Sequence, residues 1–310
     1  MKRLLLTAAG LVFCLAATAE PPADWADSPH GADDRLGAAN YLSAEKTAAA
    51  AGLVSEGETF ALGMVTGPDT AAYGPREYDV TVLQLSDGTG VPLGENKATG
   101  NDDLVRTFVG IGSQIDGLGH MGIDHYYYNK LHASDFVTTQ GLKAYSTHEI
   151  PPMATRGILL DMTKIFDESP VPDGTAFNRA EIEAAAEAAG VEIAQGDVVI
   201  FHTGKMAATD PSELYQTAPG LGVEGAEYLA SLGVVAVGAD TWGLEVIPFE
   251  KAARPFEVHQ TLLARHGVYI LENMVTAPLA EDGDGAFFFV LGVPRMEGTV
   301  QAIINPVAIR

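Results

Sequence analysis

Within seven residues this chain gathers three side chains suited to metal and proton chemistry. The stretch Gly110-Ile-Gly-Ser-Gln-Ile-Asp-Gly-Leu-Gly-His120 holds Gln114, Asp116 and His120, with Gly110, Gly112, Gly117 and Gly119 around them. A carboxylate, a carboxamide oxygen and an imidazole are all candidate ligands for a divalent ion. Glycines let a backbone turn tightly and come close to a bound group. Positions 114 and 116 share one face of an extended strand, and His120 arrives from the turn that follows. The pattern predicts a metal-and-base site at a strand end, whose remaining ligands must come from elsewhere.

The C-terminal third offers them. A helix is expected over Pro255–His266, stopped by Gly267, with His259, Leu262, Leu263 and His266 at i, i+3, i+4 and i+7 on one face. A lone histidine on such a face is more often a hydrogen-bonded core residue than a ligand. Glu272 changes the weighing, because it ends the apolar strand Val268–Leu271, where a carboxylate needs a partner. With Asp116, His259 and Glu272 give a three-ligand site that leaves room for water and substrate.

Other candidates carry two accounts each. Asp240, Thr241 and Glu245 follow a buried strand, where α/β sheets bind ligands; equally, Asp240 and Thr241 satisfy backbone amides in a turn. Tyr127, in Asp124-His-Tyr-Tyr-Tyr128, either walls a pocket or packs within a loop. His202 and Thr203 end a strand with a weaker claim, and His30, His132 and His148 are expected at the surface.

These side chains need a scaffold. Strands are expected at Thr59–Met64, Tyr78–Leu85, Leu104–Val109, Gly157–Met162, Asp197–His202, Val234–Gly238, Val268–Glu272 and Phe287–Leu291. Unbroken apolar runs such as Val198-Val-Ile-Phe201 suit strands covered on both faces. Helices alternate with them in the second half: Arg179–Ala189, capped by Asn178 and Glu181 and stopped by Gly190, and Val223–Leu232, closed by Gly233. Alternation argues for an α/β domain, and the strand-rich first half for a mixed sheet.

The 310 residues, 47% hydrophobic and 19% charged, suit a single globular domain with a substantial core. A formal charge of −23, from 41 acidic and 18 basic residues, repels phosphate backbones and argues against a nucleic-acid partner. Lys2 and Arg3 precede an apolar run from Leu4 to Ala17, with small residues at Ala17-Thr-Ala19. That is the layout of a cleavable signal peptide over 1–19, and the run is too short to span a bilayer. The expectation is a secreted, periplasmic protein without a membrane anchor. Its lone Cys14 departs with the signal, so disulfides and thiolate ligands are excluded. An irregular leader over 20–35 then precedes the domain at 36–310.

The chain resembles the metal-dependent cyclase superfamily that includes bacterial arylformamidase (kynurenine formamidase) and isatin hydrolase. The resemblance runs from Leu36 to Arg310. It rests on Gly112–His120, Thr155-Arg-Gly-Ile-Leu-Leu-Asp161, Gly196-Asp-Val-Val-Ile200, Pro219-Gly220, Gly238-Ala-Asp-Thr241, Val258-His259, Glu272 and Pro306-Val-Ala-Ile309. Against the family signature His-x-Gly-Thr-His-x-Asp-x-Pro-x-His, Gly112, Ser113, Asp116 and His120 fall on the Gly, Thr, Asp and last His. Gly110 and Gln114 stand where two metal-binding histidines belong, and Leu118 replaces the proline.

The resemblance implies a cyclase-like swivelling β/α fold with a partly barrel-like sheet flanked by helices. It implies that Asp116, His259 and Glu272 bind metal, with Gln114 adding its carbonyl oxygen, and that His120 serves as acid or base. One ion, zinc or manganese, and a homo-oligomer are expected. The leading expectation is hydrolysis of a carbon–nitrogen amide bond in a small molecule, an aryl formamide or a cyclic amide, in tryptophan catabolism. A metal-activated water would attack, His120 would move the proton, and Ser113 would donate a hydrogen bond to the developing oxyanion. The rivals are a lactone hydrolase or dehydratase of the same superfamily, and a non-catalytic exported binding protein.

Overall fold

The fold is that of a computed structural model, which describes residues 20–22, 25–84, 91–210 and 213–310. The expected signal peptide lies outside the described residues. Among the described residues, no helix is long and apolar enough to cross a membrane.

Among the described residues fifteen strands form, in chain order: β1 (Thr59–Ala61), β2 (Tyr78–Gln84), β3 (Asn101–Thr107), β4 (Gln114–Asp116), β5 (Val137–Thr138), β6 (Gly141–Leu142), β7 (Met153–Asp161), β8 (Ala176–Phe177), β9 (Val198–His202), β10 (Gly220–Leu221), β11 (Ala236–Ala239), β12 (Tyr269–Glu272), β13 (Gly285–Leu291), β14 (Gln301–Ile303) and β15 (Val307–Ile309). Nine make one sheet in the order β1-β15-β13-β7-β9-β11-β12-β4-β14, which curls into a half-barrel flanked by helices. Its centre, β7-β9-β11-β12, is parallel, and antiparallel strands extend both sides. The expected mixed α/β sheet is therefore present.

Every residue of β9 is buried, as strands covered on both faces must be. Phe201, Phe177, Phe287 and Phe289 fill the core beneath the helices. At the sheet's buried polar point, Arg156 grips Asp197 with two hydrogen bonds of 3.0 and 2.6 Å, the bidentate geometry that suits a guanidinium.

The α-helices among the described residues are α1 (Ala44–Ala51), α2 (Ala133–Phe136), α3 (Met162–Phe166), α4 (Arg179–Ala188), α5 (Lys205–Ala208), α6 (Val223–Ser231), α7 (Glu257–His259) and α8 (Ala277–Asp282). The expected helices α4 and α6 are present. Asn178 and Glu181 close a reciprocal capping box on α4, and Gly190 and Gly233 follow α4 and α6 in left-handed conformation.

The helix expected over Pro255–His266 is different. It begins only at Glu257, because Phe256 sits at φ +57, a conformation that no helix accepts. After His259 the chain winds into a π-helical turn over Gln260–Arg265, where the His266 amide bonds back to the Thr261 carbonyl. The widened turn breaks the 3.6-residue period. His259, Leu262 and Leu263 stay buried while His266 emerges on the surface and meets Glu227 at 2.8 Å. The expected inward face with two histidines is thus corrected to one.

Ahead of the sheet, residues 25–36 run irregularly over the surface, held by the buried ring of Trp25 and by Asp34. The Asp34 carboxylate accepts hydrogen bonds from Ser28, Tyr128, Asn40 and the Leu36 amide.

Candidate metal centre

Register sets the centre's first pair of carboxylates. In β4, Gln114 lies opposite Glu272 of β12, and Asp116 lies opposite Ile270 of β12 and Gln301 of β14. Ile115 points away into the core, fully buried. Gln114 and Asp116 therefore share one face, as their spacing predicts. Beyond β4 the chain turns at Gly117, where a Cβ would crowd the Val300 carbonyl. The His120 amide bonds to the Gly117 carbonyl at 2.9 Å, which brings the imidazole back over Asp116. His259 enters from the other side, at the junction of α7 and the π-helical turn. Such turns recur at functional sites.

Three donor groups converge. Among the described residues, ligand atoms of Asp116, His120 and His259 lie within 4.8 Å of one another. The His120 Nε2 is 3.7 Å from Asp116 Oδ2 and the His259 Nε2 is 3.6 Å from it. Glu272 stands alongside, its Oε1 3.2 Å from His259 Nε2 and its Oε2 accepting from Gln114 Nε2 at 2.6 Å. Glu245 hydrogen-bonds His259 Nδ1. That contact orients the ring so that Nε2 faces the cluster, as metal-binding imidazoles are commonly held.

The electrostatics call for a cation. Asp116, Glu245 and Glu272 are all buried. Burial raises the Asp116 pKa, but the His120 charge and the His259 and Gln301 contacts outweigh it and hold the carboxyl at about 2. Glu272 is pushed up to about 7 by burial and by Asp116, against the pull of His259. Burial disfavours charge on His259, yet the Asp116, Glu245 and Glu272 carboxylates around it raise its pKa well above the ordinary imidazole value. His120 moves down, because its burial outweighs Asp116. Asp116 Oδ2 is buried without a hydrogen-bond partner. Among the described residues, no N–H or O–H reaches that oxygen within hydrogen-bond distance; the imidazoles 3.7 and 3.6 Å away face it instead, and a divalent cation seated among the three groups would take over the positive charge that the His259 proton supplies. The donor set, two imidazoles and one carboxylate, suits zinc or manganese.

Other expected residues are placed differently. Gln114 turns its amide nitrogen, not its carbonyl oxygen, to Glu272 and, at 3.4 Å, to Asp116; two carboxylate neighbours demand a donor there. Ser113 is buried, donating to the Asn273 carbonyl and accepting from the Met64 amide, so its hydroxyl is committed to the scaffold rather than to an oxyanion. The Asp240 carboxylate binds the Thr203 and Gly204 amides and the Thr203 hydroxyl. That is the turn-satisfying account, and it leaves no oxygen for substrate. Thr241 keeps a buried hydroxyl without partner, and its carbonyl accepts from the Asn273 amide next to Glu272. Tyr127 packs edge-on against Phe136. His202 bonds Thr276 at 2.7 Å.

Three neighbours escaped the sequence reading. The sequence offers Glu245 only as a carboxylate after a strand; its pairing with His259 comes from a tight turn at Gly243 and Leu244, both at positive φ. Gln301 donates to Asp116 Oδ1 at 2.7 Å, and its only sequence signal is a polar residue in the apolar run Val300–Ile304. Arg76 bonds the Gly110 carbonyl, and its charge reaches His120, Glu272 and Tyr215. A cavity of about 430 Å³ lies on the Tyr215 side, with none of the cluster's own side chains in its wall. Tyr215 and Met64 line it together with Met206 and Leu214, and Tyr215 feels the Glu272 charge. From His259, aromatic contacts lead through Phe256 and Trp242 to Tyr215.

A half-barrel sheet with this buried acid–imidazole cluster defines a cyclase-type α/β protein. The chain belongs to the Cyclase family, which matches residues 60–246, more than half of its length. The match includes Asp116, His120 and Glu245 and ends before His259 and Glu272. The solved structure of a cyclase is similar to it with a TM-score of 0.82 at 26% identity, covering 91% of this chain and 96% of that one. Isatin hydrolase A from Labrenzia aggregata, bound to benzyl benzoate, gives 0.59 at 15% identity over 84% and 94%. Isatin hydrolase A from Ralstonia solanacearum gives 0.61 at 14% over 82% and 92%. No curated protein matches the chain.

Proposed function

We propose that this chain is a metal-dependent hydrolase of a carbon–nitrogen amide bond in a small molecule, acting on an aryl formamide or a cyclic amide. The observation that carries it is the unpartnered Asp116 Oδ2 facing two imidazoles inside a carboxylate-rich, buried cluster. Asp116, His120 and His259 hold the ion. When bound, a divalent cation supplies Lewis acidity, polarising a carbonyl and acidifying a water.

The proton roles are those of geometry rather than of the family signature. His120 belongs to the close donor set, so it is a ligand. Glu272 lies at its margin, within reach of His259 but outside that set, and takes and returns the proton between water and leaving nitrogen. Gln114 holds Glu272 Oε2, so Oε1 is the working oxygen. Thr241, whose hydroxyl has no partner, donates to the substrate carbonyl. The isatin hydrolase neighbours support a cyclic amide as substrate, and Tyr215, Met64, Met206 and Leu214 offer apolar surface in the cavity.

The test is turnover of N-formylkynurenine, isatin and simple lactones by chain loaded with zinc or manganese. Hydrolysis of an amide substrate is expected, abolished by chelation and by Asp116→Ala. Full activity after complete metal removal would overturn the reading, and activity confined to lactones would move the substrate class.

A further inference from the structure

The two carboxamides beside Asp116 have a geometry of their own. Gln301 Nε2 donates to Asp116 Oδ1 at 2.7 Å, and Gln114 Nε2 donates to Glu272 Oε2 at 2.6 Å while reaching Asp116 Oδ1 at 3.4 Å. Each amide nitrogen offers only hydrogens, so it cannot itself ligate. Each also removes a carboxylate oxygen from the set a cation could use. Space is closed in the same way. A Cβ built on Gly110 would run into the carboxamide of Gln301, so that side chain fills the room that any side chain at 110 would need. After these bonds are drawn, Asp116 Oδ2 is the one oxygen of that carboxylate left without a partner, and it faces His120 and His259. Among the described residues, no second group of three or more histidine, cysteine or acidic side chains converges.

We infer that Gln114 and Gln301 form a neutral carboxamide clamp that limits the centre to a single divalent ion. The clamp rests on the proposed metal site, and it assigns to two positioning residues the task of silencing the oxygens that would bridge to a second cation. The amides satisfy one oxygen on each carboxylate without adding charge, and a second ion would have to displace both hydrogen bonds with no fresh imidazole to receive it.

The experiment is a cobalt(II) titration of the chelator-stripped, full-length chain, followed by the visible d–d band and by elemental analysis. The expected endpoint is one ion per chain, unchanged in tenfold excess metal. Gln114→Glu replaces the donor by an acceptor of equal size, and its endpoint rises to two. Gln301→Glu answers the same question should the first variant not fold. Two ions in the unaltered chain, or one ion in a folded variant of either kind, would overturn the clamp. A chain that binds one cobalt yet hydrolyses nothing sinks the proposed activity and leaves the clamp standing. A chain that binds none sinks both.

Discussion

Asp116 Oδ2 is the atom around which the centre is arranged, buried without a hydrogen-bond partner and faced by two imidazoles. Its neighbours divide the work of the centre. His120 and His259 face that oxygen, whereas Glu272 has one oxygen taken by Gln114 and the other turned to His259. Ligand and proton carrier can therefore be separated by measuring metal and rate on the same sample. Glu272→Gln should keep one ion and lose roughly 10²–10⁴-fold in turnover, the range of a missing general base. His120→Ala should lose the ion itself. If elemental analysis found the reverse, metal absent from the first variant and retained in the second, the family assignment of these two residues would stand and ours would fall. The residue types and the shared face of 114 and 116 were legible in the sequence. The direction in which Gln114 points was not, because it is set by Glu272, 158 residues away.

At the scale of elements, local signals were readable where they are self-contained. The capping box of α4 and the glycines that follow α4 and α6 specify their own boundaries. The π-helical turn after His259 has no such signature, and a 3.6-residue period placed His266 on the wrong side. The leader shows the same limit. Its irregularity was evident, but not that one carboxylate fastens it. Burial raises the Asp34 pKa, and bonds from the Leu36 amide, Tyr128, Ser28 and Asn40 outweigh it, so the folded value is depressed below 3.8. A depressed carboxylate contributes stability above its unfolded pKa, and that stability is lost as the pH falls through the folded value. Acidification below about pH 4 should therefore release residues 25–36 before the core melts. In a Trp242→Phe background, Trp25 emission would report this as a red shift. Asp34→Asn should show the shift already at neutral pH. An emission unchanged by both would mean that Trp25 burial alone holds the segment.

Across the whole molecule, the centre is a joint between distant parts of the chain. Gln301 and Asp116 lie 185 residues apart, and β4 is three residues long, wedged between β12 and β14. Apolar runs announce the parallel strands at the centre of the sheet, and the spacing of 114 and 116 announces β4, while β14 with Gln301 announces nothing, since a three-residue strand is defined by its neighbours. Three buried carboxylates meet at this joint, so a bound cation should also staple the fold. A ligand present at a hundred times its Kd stabilises by about 2.7 kcal/mol. For a chain of 310 residues, each kcal/mol moves the melting temperature by about 1.5 °C. Loading the stripped chain with zinc or manganese should accordingly raise its midpoint by roughly 4 °C. Asp116→Ala should remove the response to metal and lower the midpoint of the stripped chain, because the carboxylate that pairs with His120 and His259 and accepts from Gln301 has gone. Equal midpoints with and without metal in the unaltered chain, at saturating ion, would show that nothing binds where β4, β12 and the π-helical turn converge.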